Sequence, residues 1–103
     1  MEWYIYVAHL GAGIFLTNGV PHSVNGISGH RFQTPFASPR GVGESSPLVN
    51  VIWGMVNFAI GCVLLFLVRN FTGGLNMDTS VFVLGVFLCA VGLSLHFGRV
   101  RNR

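Results

Sequence analysis

Three runs of the chain, Trp3 to Val20, Pro47 to Val68 and Ser80 to Phe97, contain no aspartate, glutamate, lysine or arginine. A helix needs about 20 mostly apolar residues to cross a bilayer, and each run is close to that length. Over the whole chain 51% of residues are hydrophobic and 9% charged, whereas a soluble domain carries roughly 25% charged residues. Water is therefore the wrong main solvent for this chain. The expected fold class is all-α: a polytopic membrane protein with three transmembrane helices and a long ordered cytoplasmic loop between the first two. One membrane domain fills 1–103, with spans about 3–20, 47–68 and 80–97, a loop over 21–46 and an arginine tail over 98–103.

The ends of the runs carry their own signals. Trp3, Tyr4 and Tyr6 form an aromatic belt at the start of the first. Only Glu2 precedes it as a charge and no A-x-A site follows, so a retained span is expected rather than a cleaved signal peptide. Pro21 predicts an end or kink. Ser46 before Pro47 is a strong helix start, a hydroxyl cap followed by proline at the first helical position. Arg69 and Asn70 close the second run, Gly73-Gly74 makes a turn, and Asp78 or Thr79 is expected to cap the third. Asn70-Phe71-Thr72 fits the glycosylation pattern but lies too near the membrane to act as an acceptor.

Arginine placement sets the expected orientation, because basic residues concentrate on the cytoplasmic side. Placing the long loop with the C-terminus puts Arg31, Arg40, Arg99, Arg101 and Arg103 together and leaves Arg69 opposite. The reading is N-terminus outside, loop and tail cytoplasmic.

Helices in lipid associate through small residues and a few polar ones, since apolar surface alone gives little preference for protein over lipid. Each run shows a stripe at helical spacing: Gly11, Phe15, Asn18 and His22; Asn50, Gly54, Asn57 and Gly61; Gly85, Cys89, Gly92 and His96. These are expected to form the mutual interface of a three-helix bundle, or partly a self-association face, and a homo-oligomer follows as a hypothesis.

With that topology His22, Asn50 and His96 fall at one depth, at the cytoplasmic mouth, under the loop. Asn18 lies a turn deeper and Asn57 and Cys89 deeper again, while His9 lies in the opposite leaflet. The candidate ligand-binding residues are His22, Asn18, Asn50, Trp53, His96 and Arg31. Ionisable groups inside a membrane mark functional sites by default. Neutral imidazoles at His22 and His96 suit two axial ligands to a haem, although a bundle this thin offers little surface to enclose one. A pocket for a quinone or lipid headgroup would use Trp53 and Phe15 for stacking and Asn50 for hydrogen bonding. The plainest reading makes both histidines interface residues bonded to Asn50, Ser23 and carbonyls freed by Pro21.

Several chemistries are absent from the pattern. Cys62 and Cys89 lack CxxC spacing, so neither a disulfide framework nor zinc is expected. No catalytic triad or carboxylate pair is visible, and an enzyme is not expected. The basic excess is split between segments, which does not suit nucleic acid. Gly41-Val42-Gly43 before the Ser46 cap, with Arg31 and Arg40 nearby, could cradle phosphate. It lacks the lysine and spacing of a P-loop, and a flexible approach to the cap is the simpler account.

The segment from Pro21 to Asn50 is rich in Gly, Pro and Ser, yet carries Val24, Ile27, Phe32 and Phe36, which suit an ordered loop lying on an apolar surface. Within it, Gly29 to Gly54 reads GHRFQTPFASPRGVGESSPLVNVIWG. This string resembles the central signature of a family of small bacterial inner-membrane proteins, in which a TPF-A-x-P stretch precedes an SSP-x-x-N-x-x-W-G helix start. The matching residues are Thr34 to Pro39 and Ser45 to Gly54, about a quarter of the chain. The resemblance implies a bacterial inner membrane and a three-span layout. It implies no activity and no catalytic residues.

The functional expectation is a non-enzymatic integral membrane accessory protein, oligomeric or bound to a larger membrane protein, acting through the 21–50 loop. The alternatives are a haem, quinone or lipid site at His22, Asn50 and His96, and an oligomeric pore lined by Asn18, Asn50 and Asn57.

Overall fold

The structure is a computed structural model and describes residues 2–68, 71, 74 and 76–102. The expectations for Arg69, Asn70, Gly73 and Arg103, and the Thr72 of the glycosylation pattern, lie outside the described residues. Among the described residues the order is α1 (Trp3–Ile27), β1 (Phe32–Gln33), β2 (Glu44–Ser45), α2 (Pro47–Cys62) and α3 (Met77–Arg101). Val63–Leu67 continues α2 as a π-helical turn. The two short strands pair antiparallel, Phe32 opposite Ser45 and Gln33 opposite Glu44.

α1 is the middle helix. α2 and α3 each pack along it and scarcely meet one another, so the arrangement is an open one rather than a closed three-way seam. Two segments, Pro47–Leu67 and Met77–Arg101, are long and apolar enough to cross a membrane, by length and composition. The molecule is 43 Å long, comparable to the ~40–45 Å of a bilayer with its headgroups.

Glycine sets how close the helices come. A methyl group at Gly54 would strike Ser23 and the Gly19 carbonyl, and one at Gly26 would strike Val51 and the Pro47 carbonyl. Gly61 receives Leu16 in the same way. On the other side of α1, Gly13 lies against the backbone of Phe82 and Val86, and Gly85 against the Leu10 carbonyl. Small residues allow this backbone-to-backbone approach, the packing mode expected where lipid competes for apolar surface.

Three boundaries differ from expectation. Pro21 neither ends nor interrupts α1, which runs on to Ile27. Proline removes one backbone donor, but the turns beyond it are held by burial of His22, Ser23 and Gly26 and by Asn25 Nδ2 donating to the Pro21 carbonyl at 2.7 Å. The helix stops instead at Ile27, two residues before Gly29, whose φ of +78° is the left-handed conformation favoured just past a helix end. The loop is therefore 28–46 rather than 21–46. At the other junction Asn76, not Asp78 or Thr79, caps α3, accepting from Thr79 N at 2.9 Å. α3 accordingly begins at Met77 and, at its far end, extends to Arg101 rather than stopping near 97. The Ser46 cap stands as expected, its Oγ accepting from Val49 N at 3.2 Å.

Candidate functional site

At one end of the molecule residues 28–46 fold back as a cover over the helices. Asn50, fully buried in the first turns of α2, organises the junction. Its Nδ2 faces the carbonyls of Phe32 at 3.2 Å, Ser45 at 3.2 Å and Ser46 at 3.0 Å, which ties both strands of the cover to α2. Its Oδ1 then faces His22 Nδ1 at 2.8 Å. An amide oxygen only accepts, so His22 Nδ1 carries the proton and Nε2 of the neutral ring presents a lone pair. The ring is boxed edge-on by Phe32 at 5.4 Å, Trp53 at 6.4 Å and Phe97 at 6.4 Å between centroids.

Other bonds fix the cover. His96 Nε2 donates to the Gly41 carbonyl at 2.7 Å. Thr34 Oγ1 accepts from Phe36 N at 3.2 Å and meets Ser45 Oγ at 2.5 Å. Arg101 lies over the Phe32 ring, 4.7 Å from its centroid, and donates to Gln33 Oε1 at 2.8 Å and Glu44 Oε2 at 3.3 Å.

Between cover and helices lies a cavity of about 250 Å³, whose walls include Asn18, His22, Thr34, Trp53, His96 and Phe97. Four of the expected ligand-binding residues, Asn18, His22, Trp53 and His96, thus share one wall system. Asn50 stands behind it, through its bond to His22. Arg31 is not part of it: it is exposed on the cover, with Nη2 donating to the Glu44 carbonyl at 3.1 Å. Arg31 precedes the strand and is exposed while the neighbouring Phe32 is buried, and the arginine that reaches the junction is Arg101. Phe15, expected beside Trp53 as a stacking surface for a ligand, is not among the cavity walls, whereas Trp53 is; Phe36 meets Trp53 edge-on at 4.9 Å.

Deeper in the fold Asn18 Nδ2 donates to Asn57 Oδ1 at 3.0 Å, and Asn57 Nδ2 donates to the Trp53 carbonyl at 2.8 Å. These amides are spent on each other and on backbone. Of the expected interface residues, Gly54, Asn57, Gly61 and Gly85 are buried, and Gly11 touches Leu64. Cys89 is only half-buried, and Gly92 faces open space. The reason is geometric: α3 meets one helix, not two, so its stripe is used only where Gly85 crosses α1.

At the opposite end His9 and Asp78 are buried together, Nδ1 to Oδ1 at 3.4 Å, with Phe71 edge-on to His9 at 5.5 Å. Asp78 is therefore inside the fold rather than at its boundary.

Sequence reading did not pick out Gln33, Thr34, Gly41, Phe97 or Arg101 at the junction, nor Gly13, Gly19, Ser23 and Gly26 as packing residues. The last three did carry a signal, small residues stepping by four and three along α1. Ser23 Oγ, expected to bond a histidine, is buried with no partner among the described residues.

The geometry suits some ligands better than others. A haem needs ring nitrogens free to bind iron, and His96 Nε2 is committed to Gly41. The cavity lies below the ~300–1,000 Å³ of sites for drug-sized ligands. A compact polar group fits these walls and a macrocycle does not. Among the described residues no three histidine, cysteine or acidic side chains gather as a metal site. Compared with known families, curated proteins and solved structures, the chain matches none of them.

Proposed function

We propose that the protein is a small integral membrane protein of the bacterial inner membrane, crossing it with all three helices and acting as a non-enzymatic accessory subunit through its cytoplasmic cover. The observation that carries the reading is the apolar coat of α3. Phe87, Leu88 and Leu95 are 62%, 52% and 67% exposed, and Val83, Leu84 and Val91 continue the same surface. A water-soluble monomer rarely presents a contiguous apolar patch this long; lipid tails cover it at no cost. α1 crosses between its neighbours, with its polar residues turned toward them. His96–Gly41 and Arg101–Glu44 hold the end of α3 beside the cover, so Arg31, Arg40, Arg99 and Arg101 gather at one end. That gathering supports an N-out, C-in orientation.

The polar groups between the helices are largely spent on one another, which favours interhelical bonding over a pore. The exposed Phe36 and Arg40 of the cover, and the open Gly92 face of α3, are the surfaces left for a larger membrane protein or a second copy. The test is direct. The protein should resist extraction by alkaline carbonate, and Ser38→Cys should react with an impermeant maleimide only from the cytoplasmic side. Release into the wash, or labelling from outside, would overturn it.

A second reading is favoured by the cavity. Trp53 Nε1 is shielded from solvent with no partner among the described residues, and His22, whose Nδ1 is taken by Asn50, lines the same cavity. His22 and Trp53, polar-tipped rings that line one cavity, support a bound quinone or lipid headgroup.

A further inference from the structure

A second, larger space adjoins the first. α1 and α3 touch backbone to backbone at Gly13 and Gly85 and leave an apolar crevice of about 600 Å³ toward the cover. Leu16, Thr17, Val20, Ala90 and Leu93 line it, and Phe97 closes its end. Phe97 also forms part of the polar cavity wall. The neighbouring residues Thr17 and Asn18 likewise divide, Thr17 in the crevice and Asn18 in the cavity. A single phenyl ring, Phe97, thus stands between an apolar slot and a small polar chamber.

We propose that the two spaces form one site for an amphiphile with an uncharged, hydroxyl-bearing head and a long apolar chain. The head sits among His22, Trp53 and Thr34, and the chain lies between α1 and α3. The inference rests on the second reading above and names its ligand class. The hydroxyl follows from the donor inventory: His22 Nε2 needs a donor and Trp53 Nε1–H needs an acceptor, and one hydroxyl supplies both. The absence of charge follows from the walls. Among the described residues no arginine lines the chamber, and Arg101 is engaged by Gln33, Glu44 and Phe32. A phosphate would meet none of the described arginines there. The long chain follows from the crevice, whose lining is aliphatic and aromatic apart from Thr17 and Ser94. An isoprenoid quinol and an acylglycerol share this chemistry.

The experiment uses the full chain carrying Trp3→Phe, which leaves Trp53 as the reporting indole. In mild detergent its emission is titrated with 1-monooleoylglycerol and with a decyl benzoquinol. Dodecane serves as the chain alone and glycerol as the head alone. Saturation at one molecule per chain is expected with at least one amphiphile and with neither fragment. The tighter of the two identifies the source. Ala90→Phe, at an exposed position of α3, fills the crevice and should weaken binding at least tenfold. Ser94→Phe should act in the same direction if the first variant folds poorly. Trp53→Phe, read by mass spectrometry of retained amphiphile, should weaken it roughly fivefold, the worth of one hydrogen bond. Equal response to dodecane, or binding unchanged by the crevice substitutions, overturns the proposal. Carbonate extraction reports on the membrane reading separately, so the two failures are told apart.

Discussion

His96 in α3 and Gly41 in the cover are joined by a 2.7 Å hydrogen bond across 55 residues of sequence. The bond reaches a carbonyl held outward by a residue at φ +75°, a conformation that side chains disfavour. His96→Ala should free the tip of the cover while leaving the helices paired. Hydrogen exchange at Gly41, Val42 and Gly43 should quicken, with protection in α1 and α2 unchanged. Gly41→Ala should act in the same direction, at about 1 kcal/mol. Uniform loss of protection across the helices would show that the cover is part of the core instead.

Asn50 and Asn57 share a face of α2 but should differ in weight. Asn57→Leu removes one interhelical bond, and such bonds in lipid average about 0.6 kcal/mol. Asn50→Leu strands the His22 N–H and unties both strands of the cover, for which about 2–3 kcal/mol is expected. Thermal unfolding in detergent should rank them in that order. Equal losses would mean that the junction is not organised by Asn50.

The glycines divide in the same way. Gly54→Ala places a methyl group into Ser23 and the Gly19 carbonyl, and overpacking of this kind costs about 1–3 kcal/mol. Gly92→Ala meets nothing within 4 Å and should be neutral or stabilising by up to about 1 kcal/mol, from helix propensity. A Gly92→Ala variant that lost an oligomer seen by light scattering would place the self-association face there.

His9 and Asp78 test the far end. Truncating a buried polar side chain forfeits the hydrogen bonding it supplies, typically a loss of about 1–3 kcal/mol. Asp78→Leu should therefore be clearly destabilising, and His9→Leu with Asp78→Leu less so than the sum of the single changes. A double-mutant cycle on unfolding gives the coupling. Strict additivity would show that the 3.4 Å approach carries no energy.

Much of the helical layout was legible because lipid-length apolar runs and a Ser-Pro start are strong local signals. The small-polar face of α2 was legible for the same reason, since Asn50, Gly54, Asn57 and Gly61 repeat at helical spacing and all four are buried. What local pattern cannot show is which helix is central. Pro21 reads as a stop from its own chemistry, and only packing of Ser23 and Gly26 on α2 carries α1 past it. Likewise Asp78 resembles a cap until His9 is placed beside it, and Arg101 resembles a tail charge until the cover folds beneath it. Arg31 and Arg101 are indistinguishable by residue type; only the folded cover brings Arg101 onto the Phe32 ring and the Gln33 side chain.

The central place of α1 also bears on the order of synthesis. It is made first, yet both surfaces that shield His9, Asn18 and His22 belong to helices made later. In a membrane α1 would enter with its amides and imidazoles unmatched, and settle only once α2 and then α3 had arrived alongside. Its neighbours, apolar on most sides, need no such company. A chain cut after Leu67 should therefore hold α1 less firmly than the full protein does, and offer a quality-control protease its earliest grip near His9, on the side that α3 normally covers.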